Sequence, residues 1–292
     1  MINGALYLDE DLASSIALKF VDHMRQLIFD LRLQMIHVMR PDIKPRSVGC
    51  GWVRRTWEKG VLEDGMSMIS RMLKTENVHF PISGPPKVML GDRDKETLTE
   101  LTNNAYDLFI EGDHAISNVK DFCKLINSRL YAKAPCPILI ARDQIKRNRT
   151  VLLAEEGTNI RRLAEQFGRL MKTSKLSVDL IYFKAPKSID WDRHMSAVAF
   201  AEAGEFETAR EILQKENSLL KNEASSPAFS DLDTIAALDK INVNDTRFMN
   251  GPPDKLALLL QDYDLVASTF PSRKSTHLEA LATTNASVML FK

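Results

Sequence analysis

The sequence is poor in the features that name a function class outright. Cysteine occurs only as Cys50, Cys123 and Cys136, with no CxxC pair. So few and so widely spaced, these support neither a disulfide framework nor a zinc site, and they read as the reduced thiols of a cytoplasmic protein. No apolar run approaches the roughly 20 residues that a membrane-crossing helix requires, so no membrane partner is expected. The first residues, MINGALYLDEDL, have neither a charged n-region nor a long apolar core, and no signal peptide is expected there. Lys plus Arg and Asp plus Glu both total 39, so the chain as a whole has no field for nucleic acid. No acid pair, metal-ligand spacing or strained serine elbow stands out, so neither a catalytic residue nor a metal site is expected. Glycine is missing between Gly112 and Gly157 and again after Gly251.

What is present is organised around Tyr106–Arg142. Tyr106–Ile110 is a β-favouring apolar run, broken by Gly112-Asp113-His114. Val119, Phe122, Cys123, Ile126 and Leu130 then recur at helical spacing. The prolines of Ala134-Pro135-Cys136-Pro137 end that helix, and Ile138–Ala141 follows as a strand covered on both faces. Upstream, Ala5–Leu8, Leu33–Met39 and Lys87–Leu90 read as strands. Helices fall between them, from Leu12, over Trp52–Leu73 and over Thr97–Asn104. The expected apolar faces are Leu12, Ile16, Phe20, Val21 and Met24 in the first helix, and Val61, Leu62, Met66, Ile69 and Leu73 in the second. Strands and helices in alternation argue a doubly wound parallel sheet.

The pattern then restarts. Arg142–Arg149 is a polar, basic connector, and beyond it Val151–Ala154 and Val178–Phe183 read as strands flanking the helical stripe of Ile160, Leu163, Phe167, Leu170 and Met171. Tyr263–Ala267 echoes Tyr106–Ile110, and Ser287–Phe291 echoes the Ile138 strand. Two copies about 150 residues apart signal a duplication, with domains at 1–145 and 146–292. A longer helical insertion at about 195–240 belongs to the second; acidic residues predominate over 201–250, read as a solvated face. His37 reads as a satisfied core histidine, and His277 as a helix start. In an open parallel sheet ligands bind at the carboxyl ends of the strands, which gathers Asp9, Val38, Gly91, Gly112, Asp113 and His114 around one crevice.

Five segments of the first half, LDED, MIHVM, VMLGDRDKETL, YDLFIEGDH and APCPILIAR, resemble in order the motifs of a universal stress protein domain. The chain is thus similar to tandem universal stress proteins. That resemblance implies two Rossmann-like domains of the adenine-nucleotide alpha-hydrolase type, each a five-stranded parallel sheet of order 3-2-1-4-5. It also implies pairing through the fifth strands as an internal pseudo-dimer, with Ile138, Leu139 and Ile140 facing Val288, Met289 and Leu290; whether two chains pair further stays open. ATP-binding members carry Gly-x-x-Gly, nine residues, then Gly-Ser or Gly-Thr, because glycines let backbone N–H groups close around phosphate. Here Gly112 matches the first glycine, Ala115 stands at the second and Leu125 at about the third. In the second copy Glu155 or Glu156 replaces the family aspartate, and Thr269-Phe270-Pro271-Ser272 replaces the first glycine and its surroundings.

The resemblance with a degenerate nucleotide site implies a non-enzymatic stress-response factor, acting through protein partners or an atypical small ligand, with no cofactor expected. Two alternatives stand beside it. One is a sensor of ATP or another adenine nucleotide, or a slow ATPase, using the first domain only, with Asp9 at the adenosine and Gly112 and Asp113 near phosphate. The other is a carrier of a lipid or hydrophobic ligand in the vacated crevice.

Overall fold

The continuous apolar runs at Ile138–Ala141 and Ser287–Phe291 become strands buried on both faces, and they lie side by side at the centre of one ten-stranded sheet. This is a computed structural model, which describes residues 1–27, 31–40, 50–113, 119–143, 146–172, 177–184, 199–202, 205–208, 210–211, 238, 241–272, 275 and 277–292. The first half contributes β1 (Ile2–Tyr7), β2 (Leu31–Met39), β3 (Lys87–Leu90), β4 (Leu108–Gly112) and β5 (Ile138–Ala141). The second contributes β6 (Arg149–Glu155), β7 (Ser177–Lys184), β8 (Val243–Asn250), β9 (Leu265–Thr269) and β10 (Ser287–Phe291). Their order is β3-β2-β1-β4-β5-β10-β9-β6-β7-β8, so each half runs 3-2-1-4-5 from its outer edge to the centre. Every pairing is parallel except β5 with β10, where Ile138, Leu139 and Ile140 lie opposite Leu290, Met289 and Val288.

Side-chain alternation divides the interior in two. On one face Ile138, Ile140, Val288 and Leu290 join Ala5, Phe109, Val151 and Ile181 in a single cluster. On the other, Leu139 and Met289 join Leu6, Ile110, Leu152 and Leu180. Helices α1 (Leu12–Leu27), α2 (Trp52–Glu76) and α6 (Ile160–Met171) cover the second face. Helices α3 (Arg93–Asn103), α4 (Val119–Ile126), α5 (Arg129–Lys133), α7 (Pro253–Leu260) and α8 (Leu278–Thr283) cover the first.

Several local expectations are corrected. The stretch 119–133 is two helices, because Ser128 interrupts it and its Oγ caps α5 by accepting from the Tyr131 N–H at 3.3 Å. Helix α3 starts earlier than apolar periodicity indicates, since Asp92 caps it by accepting from the Lys95 N–H at 3.0 Å. Helix α1 presents Ala13, Ala17, Phe20, Val21 and Met24 to the sheet while Leu12 is 65% exposed; the small residues take the closest approach. Helix α2 is continuous through both of its glycines and buries Gly65, Met68 and Ile69, leaving Met66 exposed. A Cβ on Gly65 would stand 2.6 Å from Val88 Cγ1, so glycine is what lets this helix lie against β2 and β3. Strand β8 and helix α7 were not expected: β8 is a polar edge strand, and its residues show little of the apolar alternation that marks a half-buried strand. Most of the insertion at about 195–240 lies outside the described residues.

The aspartates of the echoed Tyr-Asp pairs do the same work in each copy. The Asp107 N–H donates to the Asn3 carbonyl while the Asp107 carboxylate accepts from the Asn3 N–H at 3.0 Å. Correspondingly, the Asp264 N–H donates to the Arg149 carbonyl, and the Asp264 carboxylate accepts from the N–H groups of Lys146, Arg147 and Arg149 at 2.8, 2.8 and 3.2 Å. Each aspartate thus ties the start of its unit's first strand to its fourth. Asp264→Ala, which strips three N–H groups of an ionised acceptor, is expected to lower unfolding free energy by about 2 kcal/mol, and Asp107→Ala by about 1 kcal/mol. Urea titration followed by circular dichroism measures both; equal losses would contradict the difference in partners.

Candidate functional site

A cleft of about 470 Å³ opens at the carboxyl ends of β1 and β2 under helix α2. Asp9 and Glu10 enter it from the turn after β1, His37, Val38, Met39 and Arg40 from the end of β2, and Asp64, Met68 and Arg71 from α2. The spacing of Asp64, Met68 and Arg71 sets them on one side of the helix, and the Gly65 contact with the sheet presses that side over the cleft. That spacing is a signal in the sequence which reading for apolar residues alone passes over. Three carboxylates and two guanidiniums therefore face one space, with Arg71 and Glu10 3.7 Å apart.

Around this cleft the turn is held by side chains that accept from its own backbone N–H groups. Asp9 accepts from the Glu10 N–H at 2.8 Å, its own N–H donates to Ser14 Oγ, and it is Asp11 that caps α1 by accepting from the Ser14 N–H at 2.8 Å. His37 is buried, with Nδ1 donating to the Leu8 carbonyl at 2.7 Å and Nε2 2.9 Å from Met39 Sδ. Its ring is thereby committed to the fold.

Of the expected crevice residues, the cleft gathers Asp9 and Val38. Gly91 ends β3, its N–H bonded to the Met39 carbonyl, and its α-carbon faces the Glu96 side chain. Gly112 ends β4 against helix α1: a Cβ there would stand 1.8 Å from the Ala13 carbonyl oxygen. Packing alone therefore demands glycine at this position. The Asp113 N–H continues the ladder to the Ala141 carbonyl at 2.8 Å. None of these three lines the cleft, and His114 and Ala115 lie outside the described residues.

Two buried polar clusters escape reading by motif. In the first half Glu111, 3% exposed, takes an ion pair from Arg93 and a hydrogen bond from Tyr131 Oη, while the Arg93 guanidinium lies 4.5 Å over the Tyr7 ring. Burial pushes the Glu111 carboxyl above its ordinary range, against the opposing pull of Arg93 and Tyr131. A lone glutamate closing the apolar run Leu108–Ile110 was the available signal. In the second half Glu155, at the end of β6, accepts from Ser275 Oγ at 2.7 Å. Its other oxygen is 2.8 Å from Nδ1 of the fully buried His277, outside hydrogen-bond alignment, and His277 Nε2 is 3.3 Å from Ser268 Oγ. Ser268 is buried and donates to the Leu153 carbonyl, which leaves it unavailable as a nucleophile. A second cleft, of about 350 Å³, runs past Glu155, Thr158, Arg162, Phe270 and Lys292. Among the described residues no cluster of three metal-ligating side chains forms, and no helix is long and apolar enough to cross a membrane.

All five tyrosines have their phenols pushed up. Burial is the largest cause for each, and it carries Tyr7 and Tyr263 to about 12. Because the folded protein holds these protons above the unfolded pKa of about 10, stability is whole below pH 10 and is lost as pH climbs from there towards 12. Absorbance at 295 nm should show the tyrosines of the folded protein ionising at higher pH than those of the unfolded chain. A second expectation concerns Gly112→Ala, which forces α1 off the sheet and should lower stability by about 3 kcal/mol; a neutral result in urea titration would refute the close approach.

No family model matches the chain, and no curated protein does. Solved structures do match. A universal stress protein from Archaeoglobus fulgidus aligns over 99% of this chain and 96% of its own at 10% identity, with a TM-score of 0.56. A functionally unknown protein from Pseudomonas aeruginosa aligns over 99% and 92% at 13% identity, with a TM-score of 0.53. What is shared at such identities is the fold: the chain has the universal stress protein fold, its five-strand unit present twice in tandem.

Proposed function

We propose that the chain is a non-enzymatic, cytoplasmic stress-response factor that acts by binding, through a protein partner or a small polar ligand seated beside Asp9, Val38, Asp64 and Arg71. Its units are assigned to residues 1–145 and 146–292, since β5 ends at Ala141 and β6 begins at Arg149. The observation that carries the reading is the use made of Gly112. Pressed on Ala13, it is accounted for by helix packing, and it stands outside the cleft that Asp9 and Val38 share. A phosphate cradle needs several backbone N–H groups converging on one point, and what the cleft offers among the described residues is charged side chains of both signs. That lining also disfavours the lipid-carrier reading, because an acyl chain would have to desolvate Asp9, Asp64, Arg40 and Arg71.

A second reading, an adenine-nucleotide sensor or slow ATPase in the first unit, is favoured by one fact: Asp9 and Val38 do meet at the carboxyl ends of neighbouring strands, where open α/β sheets bind ligands. Native mass spectrometry of freshly purified protein, followed by titration with magnesium and ATP, separates the two. The expected result is no copurified nucleotide and no saturable ATP binding. One nucleotide per chain, lost on Asp9→Ala and kept on Glu155→Ala, would replace the first reading with the second. A copurified lipid would revive the carrier.

A further inference from the structure

The two outer edges of the sheet are built differently. At one end β3 is four residues long, follows Pro85 and Pro86, and opens with Lys87. Short length, proline and lysine are devices that stop an edge from pairing with another chain. At the other end β8 runs eight residues, contains no proline or lysine, and among the described residues pairs only with β7. Asn244–Phe248 are all exposed. The one irregularity is a register shift opposite Val178 and Asp179, at the first residues of the strand; from Asp245 on the ladder is regular.

The charge pattern of this edge is self-complementary. Asp245 and Arg247 are two residues apart, hence on the same face, and they pair with each other at 2.7 Å. If a second copy of the strand is laid antiparallel with the two-fold axis at Thr246, Asp245 falls opposite Arg247 of the second copy and Arg247 opposite its Asp245. Thr246 then meets Thr246, and Asn244 meets Phe248. No shift of register by two residues preserves both opposite-charge pairs. We infer that β8 is a homodimerisation edge, pairing antiparallel with β8 of a second copy about Thr246 and joining two ten-stranded sheets into one. The inference stands apart from whatever the cleft binds, since β8 is the outer strand of the second unit and that cleft opens at β1 and β2 of the first.

Sedimentation equilibrium of the full chain over a wide concentration range is the first test, and a monomer–dimer equilibrium is expected. Asp245→Arg and Arg247→Asp each set two like-charge pairs across the axis and should weaken the dimer by roughly tenfold or more. The double exchange restores opposite charges and should return the wild-type constant. Register is read separately by cysteine cross-linking in a Cys50→Ser background. Directly opposed residues of an antiparallel pair have Cα atoms about 4.5–5.5 Å apart, within disulfide range. With a mild oxidant taking up the electrons of two thiols, Thr246→Cys should form a covalent dimer and Asn244→Cys should not. Circular dichroism confirms that each variant is folded. A strictly monomeric wild type, a dimer indifferent to charge reversal, or equal cross-linking at both positions would overturn the inference.

Discussion

The antiparallel pairing of β5 with β10 is the contact on which the rest of the molecule depends. A parallel unit of five strands leaves its fifth strand with an unpaired edge and two apolar faces, a hazard that no polar side chain of Ile138–Ala141 relieves. The duplicate supplies an edge of matching length and character, and both strands become fully buried. Because alternate residues point to opposite faces, one seam closes two cores at once. Ile140 and Val288 knit one layer, and Leu139 and Met289 the other. Polar ties reinforce it from the flanks: Arg142 donates to the Leu281 and Thr284 carbonyls, and Lys292 to the Ala134 carbonyl.

The cleft is a by-product of close packing elsewhere. Helix α2 can lie flat on β2 and β3 only because residue 65 has no side chain, and α1 can meet the end of β4 only because residue 112 has none. The first contact lowers Asp64, Met68 and Arg71 over the carboxyl ends of β1 and β2; the second brings α1 onto the end of β4.

The two units also differ in how they bury charge. Glu111, Arg93 and Tyr131 satisfy one another beneath the first unit's α3 and α5, whereas Glu155, Ser275, His277 and Ser268 occupy the carboxyl end of the second unit's central strand. The two units share topology, the aspartate ties and the seam, while their polar interiors differ.

Much of the architecture was legible from residue order alone. Apolar runs bounded by glycine and proline mark buried strands, and their alternation with helical stripes determines a parallel sheet, because local sterics and periodicity act within a few residues. The echo of Tyr106-Asp107-Leu108 in Tyr263-Asp264-Leu265 determined the duplication. Strand β8 stayed hidden because an exposed edge strand has no face to bury and so no apolar alternation. The true faces of α1 and α2 stayed hidden because close approach selects alanine and glycine, which hydrophobic periodicity discounts. Which of Asp9, Val38, Gly91 and Gly112 share a cleft was likewise decided only by the tertiary structure. That depends on how near a helix comes to a sheet, a distance set by residues far apart in the chain and by no local pattern.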